Sequence, residues 1–137
     1  MIFRNIKIDD YKDIIVLLKQ LTKCSYDKHS FEKYIDNLPN NQHHFVLEKE
    51  GKLIASGVLV IESKIIHNFR NVGHIEDIVV NKNYRGLGLG KKIIQYIISF
   101  AEKKDCYKVI LNCDPKIQSF YESCDFKKYN IQMGKYL

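Results

Sequence analysis

Apolar and polar positions alternate along parts of this chain and recur at helical spacing along others, and the two periods divide it into elements. The opening stretch Ile2-Phe3-Arg4-Asn5-Ile6-Lys7-Ile8 alternates imperfectly and predicts a strand. Asp9 or Asp10 is placed to cap a helix running to about Leu21, with Ile14, Val16, Leu17, Leu18 and Leu21 mostly on one face. Ser30 is a candidate cap for a short second helix, Phe31 to Asp36. Lys33 stands where a capping box needs an acid or glutamine, and Pro39-Asn40-Asn41 closes the region. A hairpin follows, with strands at 44–48 and 53–61 around Lys49-Glu50-Gly51-Lys52. His74 to Val80 predicts a third strand of the central region. A long helix is expected from about Gly88 to Lys103, its apolar face formed by Leu89, Ile93, Ile94, Ile97, Ile98 and Ala101. Lys108 to Leu111 predicts a buried strand, Pro115 a helix start running through Tyr121, and Lys127 to Tyr136 a closing strand.

The predicted order is β-α-α-β-β-β-α-β-α-β. That order implies an α+β (mixed α/β) class: a central, mostly antiparallel mixed sheet with helices on its faces. The strand 74–80, the long helix and the strand 108–111 form a βαβ unit, which should be parallel and right-handed. The chain has 137 residues, enough for a single domain spanning 1–137 that buries a core without metal or disulfide staples. Apolar residues are 45% and charged residues 28%, the balance of a folded globular chain rather than a disordered one. The apolar runs 14–18 and 93–100 are too short for a membrane span. The opening residues lack the order of a secretory signal, so a cytoplasmic location is expected.

Charge narrows the partners. The formal net charge is +6, from 22 basic and 16 acidic residues, yet only Arg4, Arg70 and Arg85 are arginines. Dispersed lysine reads as a solvated surface rather than a nucleic-acid reader, so no nucleic-acid partner is expected. Such a surface still favours small phosphorylated ligands. Cys24, Cys106, Cys113 and Cys124 form no C-x-x-C pair, so they read as reduced packing residues and no metal is expected.

The chemistry begins at Arg85-Gly86-Leu87-Gly88-Leu89-Gly90-Lys91, between a strand and a helix. Glycines let backbone N–H groups approach a ligand without obstruction by Cβ. The helix N-terminus adds free donors and positive potential, and Arg85 and Lys91 add full charges. This is a cradle for a pyrophosphate. The glycine spacing fits neither a dinucleotide fingerprint nor a Walker loop. A plain glycine turn at a helix start is the simpler alternative.

The pattern Arg85-x-x-Gly88-x-Gly90 resembles the coenzyme A loop of the GNAT acetyltransferase superfamily. Gly73-His74-Ile75-Glu76-Asp77 before it and Cys106-Tyr107-Lys108 and Phe120-Tyr121-Glu122-Ser123-Cys124 after it narrow the likeness, as do Gln20-Leu21-Thr22 and Glu62 to His67 upstream. Together, from about Phe3 to Lys135, they resemble the eukaryotic-type glucosamine-6-phosphate N-acetyltransferases. The resemblance implies a GNAT-like fold whose strand before the loop is splayed. Asp77, Ile78, Val79 and Val80 would then pair with the arm of acetyl-CoA, with a backbone N–H near Ile78 as oxyanion donor. Gly86, Leu87, Leu89 and Lys91 would join Arg85, Gly88 and Gly90 in holding the cofactor, acetyl-CoA.

Glu76 is the candidate proton acceptor and Tyr121 the group that protonates or solvates the departing thiolate. Two adjacent acids in a regular strand point to opposite faces. One of them must therefore face the site or find a buried partner, and a structural salt bridge is the plain alternative for either. The resemblance gives Thr22, Lys64, Ile65, Ile66, His67, Glu76, Asp77, Asn112 and Lys135 as contacts for an amino sugar phosphate. It also implies a homodimer with 127–137 and 107–112 at its interface, and a place in UDP-N-acetylglucosamine synthesis. His29, His43, His44 and His74 carry no chemistry in this reading.

Some positions depart from the pattern. Asn112 replaces an acid, Ile117 an asparagine and Asp125 a glycine, and Lys135 stands beside Tyr136 where an arginine is usual. An aspartate at 125 can adopt the left-handed conformation, though less readily than glycine. These changes leave open a GNAT acetyltransferase for another small amine or a protein N-terminus, and a non-catalytic acyl-coenzyme A binding module.

Overall fold

The computed structural model describes residues 1–137. Five strands form one sheet in chain order: β1 Ile2–Asn5, β2 Gln42–Lys49, β3 Lys52–Ser63, β4 Asn71–Val80 and β5 Cys106–Ile110. The first four run antiparallel to their neighbours, and β5 lies parallel to β4. Helices α1 Tyr11–Leu18 and α2 Lys28–Asp36 precede β2. Helix α3 Leu89–Lys103 joins β4 to β5, and α4 Gln118–Glu122 follows Pro115–Ile117, a single 3-10 turn. The mixed sheet with flanking helices is the expected class.

The α3 face of the sheet carries the larger core. Phe45, Leu47, Ile54, Leu59, Ile61 and Ile75 meet Leu89, Ile93, Ile97 and Ala101 of α3, the helical stripe read from the sequence. The opposite face holds a smaller cluster in which Ile14 and Leu17 of α1 and Phe31 of α2 cover Val46, Leu53 and Val79. The chain start is pinned by a buried ion pair. Both terminal nitrogens of Arg4 reach the Asp10 carboxylate at 2.8 Å, its Nε donates to Glu48, and the Lys7 N–H donates to Asp10 at 2.7 Å. Burial alone raises the Asp10 carboxyl. The Arg4 guanidinium and the Lys7 N–H outweigh it and hold the group below its ordinary value.

Several boundaries differ from expectation. The first strand stops at Asn5, because Asp10 folds back onto the Lys7 N–H and turns the chain. Helix α1 stops at Leu18 rather than Leu21, and Val16, 58% exposed, lies off its buried face. Helix α2 starts at Lys28 because Asp27, not Ser30, caps it: the Asp27 carboxylate accepts from the Ser30 N–H at 2.7 Å. The hairpin loop is only Glu50-Gly51, both at positive φ, since Lys49 pairs directly with Lys52. Strand β4 begins three residues earlier than expected and β5 two earlier. The expected closing strand, 127–136, carries no regular structure. Its residues are exposed and pair with no edge of this chain's sheet, so nothing orders them as a strand. Asp125, after α4, has φ +66, the left-handed conformation that an aspartate adopts less readily than glycine.

Candidate active site

The site forms where β4 stops behaving as a regular strand. Strand β5 pairs only with Asn71 to His74, so from Ile75 to Val80 the edge of β4 that faces β5 is unpaired. On its other edge, the register against β3 slips between Val58, opposite Glu76, and Ser56, opposite Val79. The extra residue is Asp77, at φ +52. Gly57 lies opposite this bulge. A Cβ there would meet Ile78 Cδ1 at 2.5 Å and Ile97 Cδ1 at 2.9 Å, so glycine lets the Ile78 side chain fold over β3.

The bulge changes the reading of the acid pair. Alternation across β4 puts Ile75 and Ile78 against the α3-face core and Val79 against the α1–α2 cluster. Glu76 and Asp77 both fall between, exposed. The expectation that they point to opposite faces therefore fails, because one inserted residue cancels the alternation, and neither acid has a buried partner. Glu76 lines an open hollow with His74, Glu62, Ser63 and Asn41. Asp77 lines a neighbouring cavity beneath α1 and α2, beside His44.

Past Val80 the chain turns once over Lys82–Tyr84 and reaches the glycine loop. Gly86 and Gly88 have φ +78 and +74, with open space where their Cβ atoms would stand. Gly88 precedes the first turn of α3 and no side chain caps that end, so its leading N–H groups are left for a ligand. Arg85 donates through Nε to the Val80 carbonyl at 3.1 Å, which ties the loop to the end of the open edge. Leu89 is buried in the core and can offer only its backbone, whereas Leu87 is exposed. Gly90 has a packing duty: its Cβ would lie 3.0 Å from the Phe120 ring of α4. A strand edge with free backbone groups, leading into an uncapped helix between two cationic side chains, suits an extended amide-bearing arm ending in a pyrophosphate.

Tyr121 is brought to the same place. It is 9% exposed, packed with Ile94 and Cys124 against Ile78 and Leu111. Burial pushes its phenol above the ordinary value, with the neighbouring Cys113 and Cys124 thiols adding to the effect. It therefore stays protonated across neutral pH, as a proton donor must.

The remaining predicted residues are dispersed. Lys64 Nζ pairs with Glu62 at 3.0 Å, and Glu62 also meets His74 Nε2 at 2.9 Å. Those two contacts hold the Glu62 carboxyl below its ordinary value. Lys64 is thus tied to Glu62, which lines the same open hollow as Glu76, and its charge is already shared with an acid. Thr22 follows α1 on an exposed turn, near where Gln20 accepts from the Lys82 N–H at 2.8 Å. Ile65 and Ile66 are exposed, and His67 packs its ring 4.4 Å from that of Tyr107. His67, Asn68 and Phe69 are consecutive left-handed residues, which side chains rarely adopt together. Asn112 is exposed two residues beyond β5, and Lys135 lies in the exposed C-terminal stretch. Ile65, Ile66, His67 and Lys135 are not among the residues lining the hollow at Glu76.

Sequence reasoning passed over His74 and Glu62, which share the hollow with Glu76, and His44 and Tyr26, which line the cavity beside Asp77. The register of β3 against β4 was the missing signal: His74 pairs with Val60, two residues from Glu62. The four cysteines are free, and no group of three His, Cys, Asp or Glu side chains is arranged to hold a metal ion. No helix is long and apolar enough to cross a membrane.

Comparison with known proteins agrees with this geometry. The model of the acetyltransferase (GNAT) family matches residues 9–126. The chain is 39% identical to glucosamine 6-phosphate N-acetyltransferase 1 of Dictyostelium discoideum, covering 98% of this chain and 90% of that one. It is 36% identical to glucosamine 6-phosphate N-acetyltransferase of Arabidopsis thaliana, over 97% of this chain and 94% of that one. The crystal structure of the Arabidopsis thaliana glucosamine-6-phosphate N-acetyltransferase superposes with a TM-score of 0.93, covering 98% of this chain and 97% of that chain.

Proposed function

We propose that this chain, which belongs to the GNAT acetyltransferase family, moves the acetyl group of acetyl-CoA to the amine of glucosamine 6-phosphate. The observation that carries the reading is the unpaired edge of β4 from Ile75 to Val80, running into the uncapped start of α3 and flanked by Tyr121. Full-length similarity to enzymes named for that amino sugar gives the acceptor.

Acyl transfer from a thioester to an amine needs a neutral nitrogen, donors for the developing oxyanion and a proton for the departing thiolate. Backbone groups of Asp77 to Val80 bind the pantetheine arm as an added strand, and an N–H near Ile78 serves the oxyanion. Arg85 to Lys91 hold the pyrophosphate. Glu76 takes the proton of the amine, directly or through water, while Asp77 orients the amine or a sugar hydroxyl. Tyr121, kept protonated by burial, supplies a proton to the leaving sulfur. Holding both reactants along one open edge provides the proximity contribution.

The sugar phosphate lies over the hollow of Glu76, near Lys64, with Thr22 and Asn112 at its margins. Lys64 meets the phosphate after exchanging Glu62 for it. Ile65, Ile66, His67 and Lys135 reach the site from a second copy of the chain in a homodimer. The exposed apolar residues Ile65, Ile66 and Phe69 and the C-terminal Tyr129, Ile131, Met133, Tyr136 and Leu137 supply the surface for it. The product feeds UDP-N-acetylglucosamine synthesis.

Steady-state release of coenzyme A, measured with acetyl-CoA and a panel of amines, tests the reading. Glucosamine 6-phosphate should give the highest kcat/KM, well above glucosamine and polyamines. A different amine turning over faster would overturn the acceptor, and no thiol release with any amine would overturn catalysis. Light scattering that finds only monomer at assay concentration would remove the shared site.

A further inference from the structure

His74 takes no part in the transfer steps above, yet it ends the closed half of β4 two residues before Glu76. Its backbone is fixed on both sides, paired with Val60 of β3 and Ile110 of β5. Glu62, two residues along β3 from Val60, therefore shares its face of the sheet. His74, Glu62 and Glu76 line one open hollow of about 740 Å³, together with Asn41, Val60 and Ser63. Lys64 stands just past the end of β3.

One carboxylate there serves two nitrogens. Glu62 Oε1 lies 2.9 Å from His74 Nε2, and Glu62 Oε2 lies 3.0 Å from Lys64 Nζ. Both contacts hold the Glu62 carboxyl below its ordinary value, the His74 bond most strongly, so the group is ionised at neutral pH. An ionised carboxylate can only accept, and the proton of the first bond therefore sits on His74 Nε2. The two donors differ in freedom. The His74 imidazole has two side-chain torsions and stands on the regular part of the strand. Lys64 carries its charge on a flexible four-carbon stem beyond the strand end. Lys64 can leave Glu62 while His74 stays.

We propose that His74 is a positioning residue for the sugar phosphate: by holding Glu62 through Nε2, it frees Lys64 to turn to the phosphate. This rests on the acceptor reading above, in which Lys64 exchanges Glu62 for that group. A phosphate entering the hollow meets two carboxylates, Glu62 and Glu76, as like charges. Once Lys64 has moved, Glu62 without His74 would stand unpaired beside the ligand and would draw the ammonium back. The His74 bond keeps one donor on Glu62 throughout the exchange and holds its carboxylate toward β4. Without that bond, Glu62 and the phosphate compete for the same ammonium.

The test is steady-state kinetics with acetyl-CoA and glucosamine 6-phosphate on a set of variants. Lys64→Ala checks the reading on which the proposal rests and should raise the KM for glucosamine 6-phosphate. His74→Leu should raise the same KM by roughly threefold to tenfold, the scale of one exposed hydrogen bond, and keep the KM for acetyl-CoA. A mere fault in β4 would raise both, because the open edge proposed for acetyl-CoA starts at Ile75. His74→Gln, which returns an N–H donor, should bring the KM for glucosamine 6-phosphate back to within about twofold of the parent. Glu62→Gln removes the group that His74 restrains, so His74→Leu added to it should change that KM by less than about twofold. Should His74→Leu fail to fold, His74→Val, better suited to a strand, takes its place. No turnover of glucosamine 6-phosphate by the parent, or no effect of Lys64→Ala, would overturn the acceptor reading and this proposal with it. An effect of Lys64→Ala with none of His74→Leu would overturn the proposal alone. So would a raised KM for acetyl-CoA in His74→Leu, no rescue by His74→Gln, or a full His74→Leu effect in the absence of Glu62.

Discussion

Strand β4 is two structures in one. From Asn71 to His74 it is an ordinary inner strand, with β3 on one side and β5 on the other. From Ile75 to Val80 it keeps β3 through a slipped register and loses β5 altogether. Each half has a glycine on or opposite it, for different reasons. Gly73 sits in the closed half, where a Cβ would lie 3.0 Å from Leu59 and from Val109, so it permits close packing of three strands. Gly57 sits opposite the bulge, where it permits a side chain of β4 to cross over. The closed half buys rigidity, while the open half keeps unpaired backbone groups and two exposed acids, and its Ile78 packs against the cluster that holds Tyr121. Chemistry is concentrated where pairing stops.

The largest effect expected on the open half comes from its far end. Gly88→Asp puts a side chain at φ +74 and a negative charge at the uncapped start of α3. Calorimetry should show acetyl-CoA binding lost while circular dichroism stays native, since a Cβ there touches nothing. Unchanged affinity would remove the loop from the site. Next is Tyr121→Phe, which deletes one hydroxyl and little volume. Turnover should fall by roughly tenfold to a thousandfold with acetyl-CoA affinity nearly kept. A parent-like rate, where chemistry limits turnover, would mean that water protonates the thiolate.

A pair of alanine substitutions addresses the comparison directly. Gly57→Ala forces Ile78 aside and should cost roughly 1–3 kcal/mol of stability together with acetyl-CoA affinity. Gly73→Ala asks its neighbours to give only a few tenths of an ångström. It should cost stability alone, about 1 kcal/mol or less. Thermal unfolding and calorimetry on both variants decide it. If Gly57→Ala binds acetyl-CoA like the parent, the crossing of Ile78 does not set the open edge.

How much of this was written in the sequence follows the same division. The α3 stripe, the hairpin and the glycine loop were legible because period and turn residues encode them locally. Asp125 was marked as a position where a left-handed conformation is open, because it stands where the resembling family has glycine. The bulge at Asp77 was not, because alternation reads each strand alone, and a bulge is a relation between two strands with Gly57 on the other. For the same reason the Glu62, His74 and Lys64 cluster stayed hidden. The closing strand was over-read: 127–136 has strand-like apolar residues, but no edge of this chain's sheet pairs with them. Asp27 was passed over as a cap because Ser30 begins the apolar pattern more visibly.

The smallest effect on catalysis is expected far from both halves, at the Arg4–Asp10 pair, and it serves as the control. The Asp10 carboxyl lies below its ordinary value in the fold, so the folded state binds its proton less readily than the unfolded chain does. Its contribution to stability is therefore fully present above the unfolded carboxylate pKa. It is lost as pH falls from that value through the lower folded one. Asp10→Asn leaves Arg4 part-buried with only Glu48 for a counter-charge and should cost roughly 3 kcal/mol at neutral pH. The variant should also lose part of the acid sensitivity of the parent, so the two unfolding curves should converge as pH drops through the acid range. Because Asp10 touches β1 and the turn before α1 rather than β4, kcat and acetyl-CoA affinity of the folded variant should stay within about twofold of the parent. Urea unfolding between neutral and acid pH, with kinetics on the same samples, measures both. A variant that keeps its stability but loses turnover would place the ion pair in the service of the open half, and the separation between scaffold and site drawn along β4 would no longer hold.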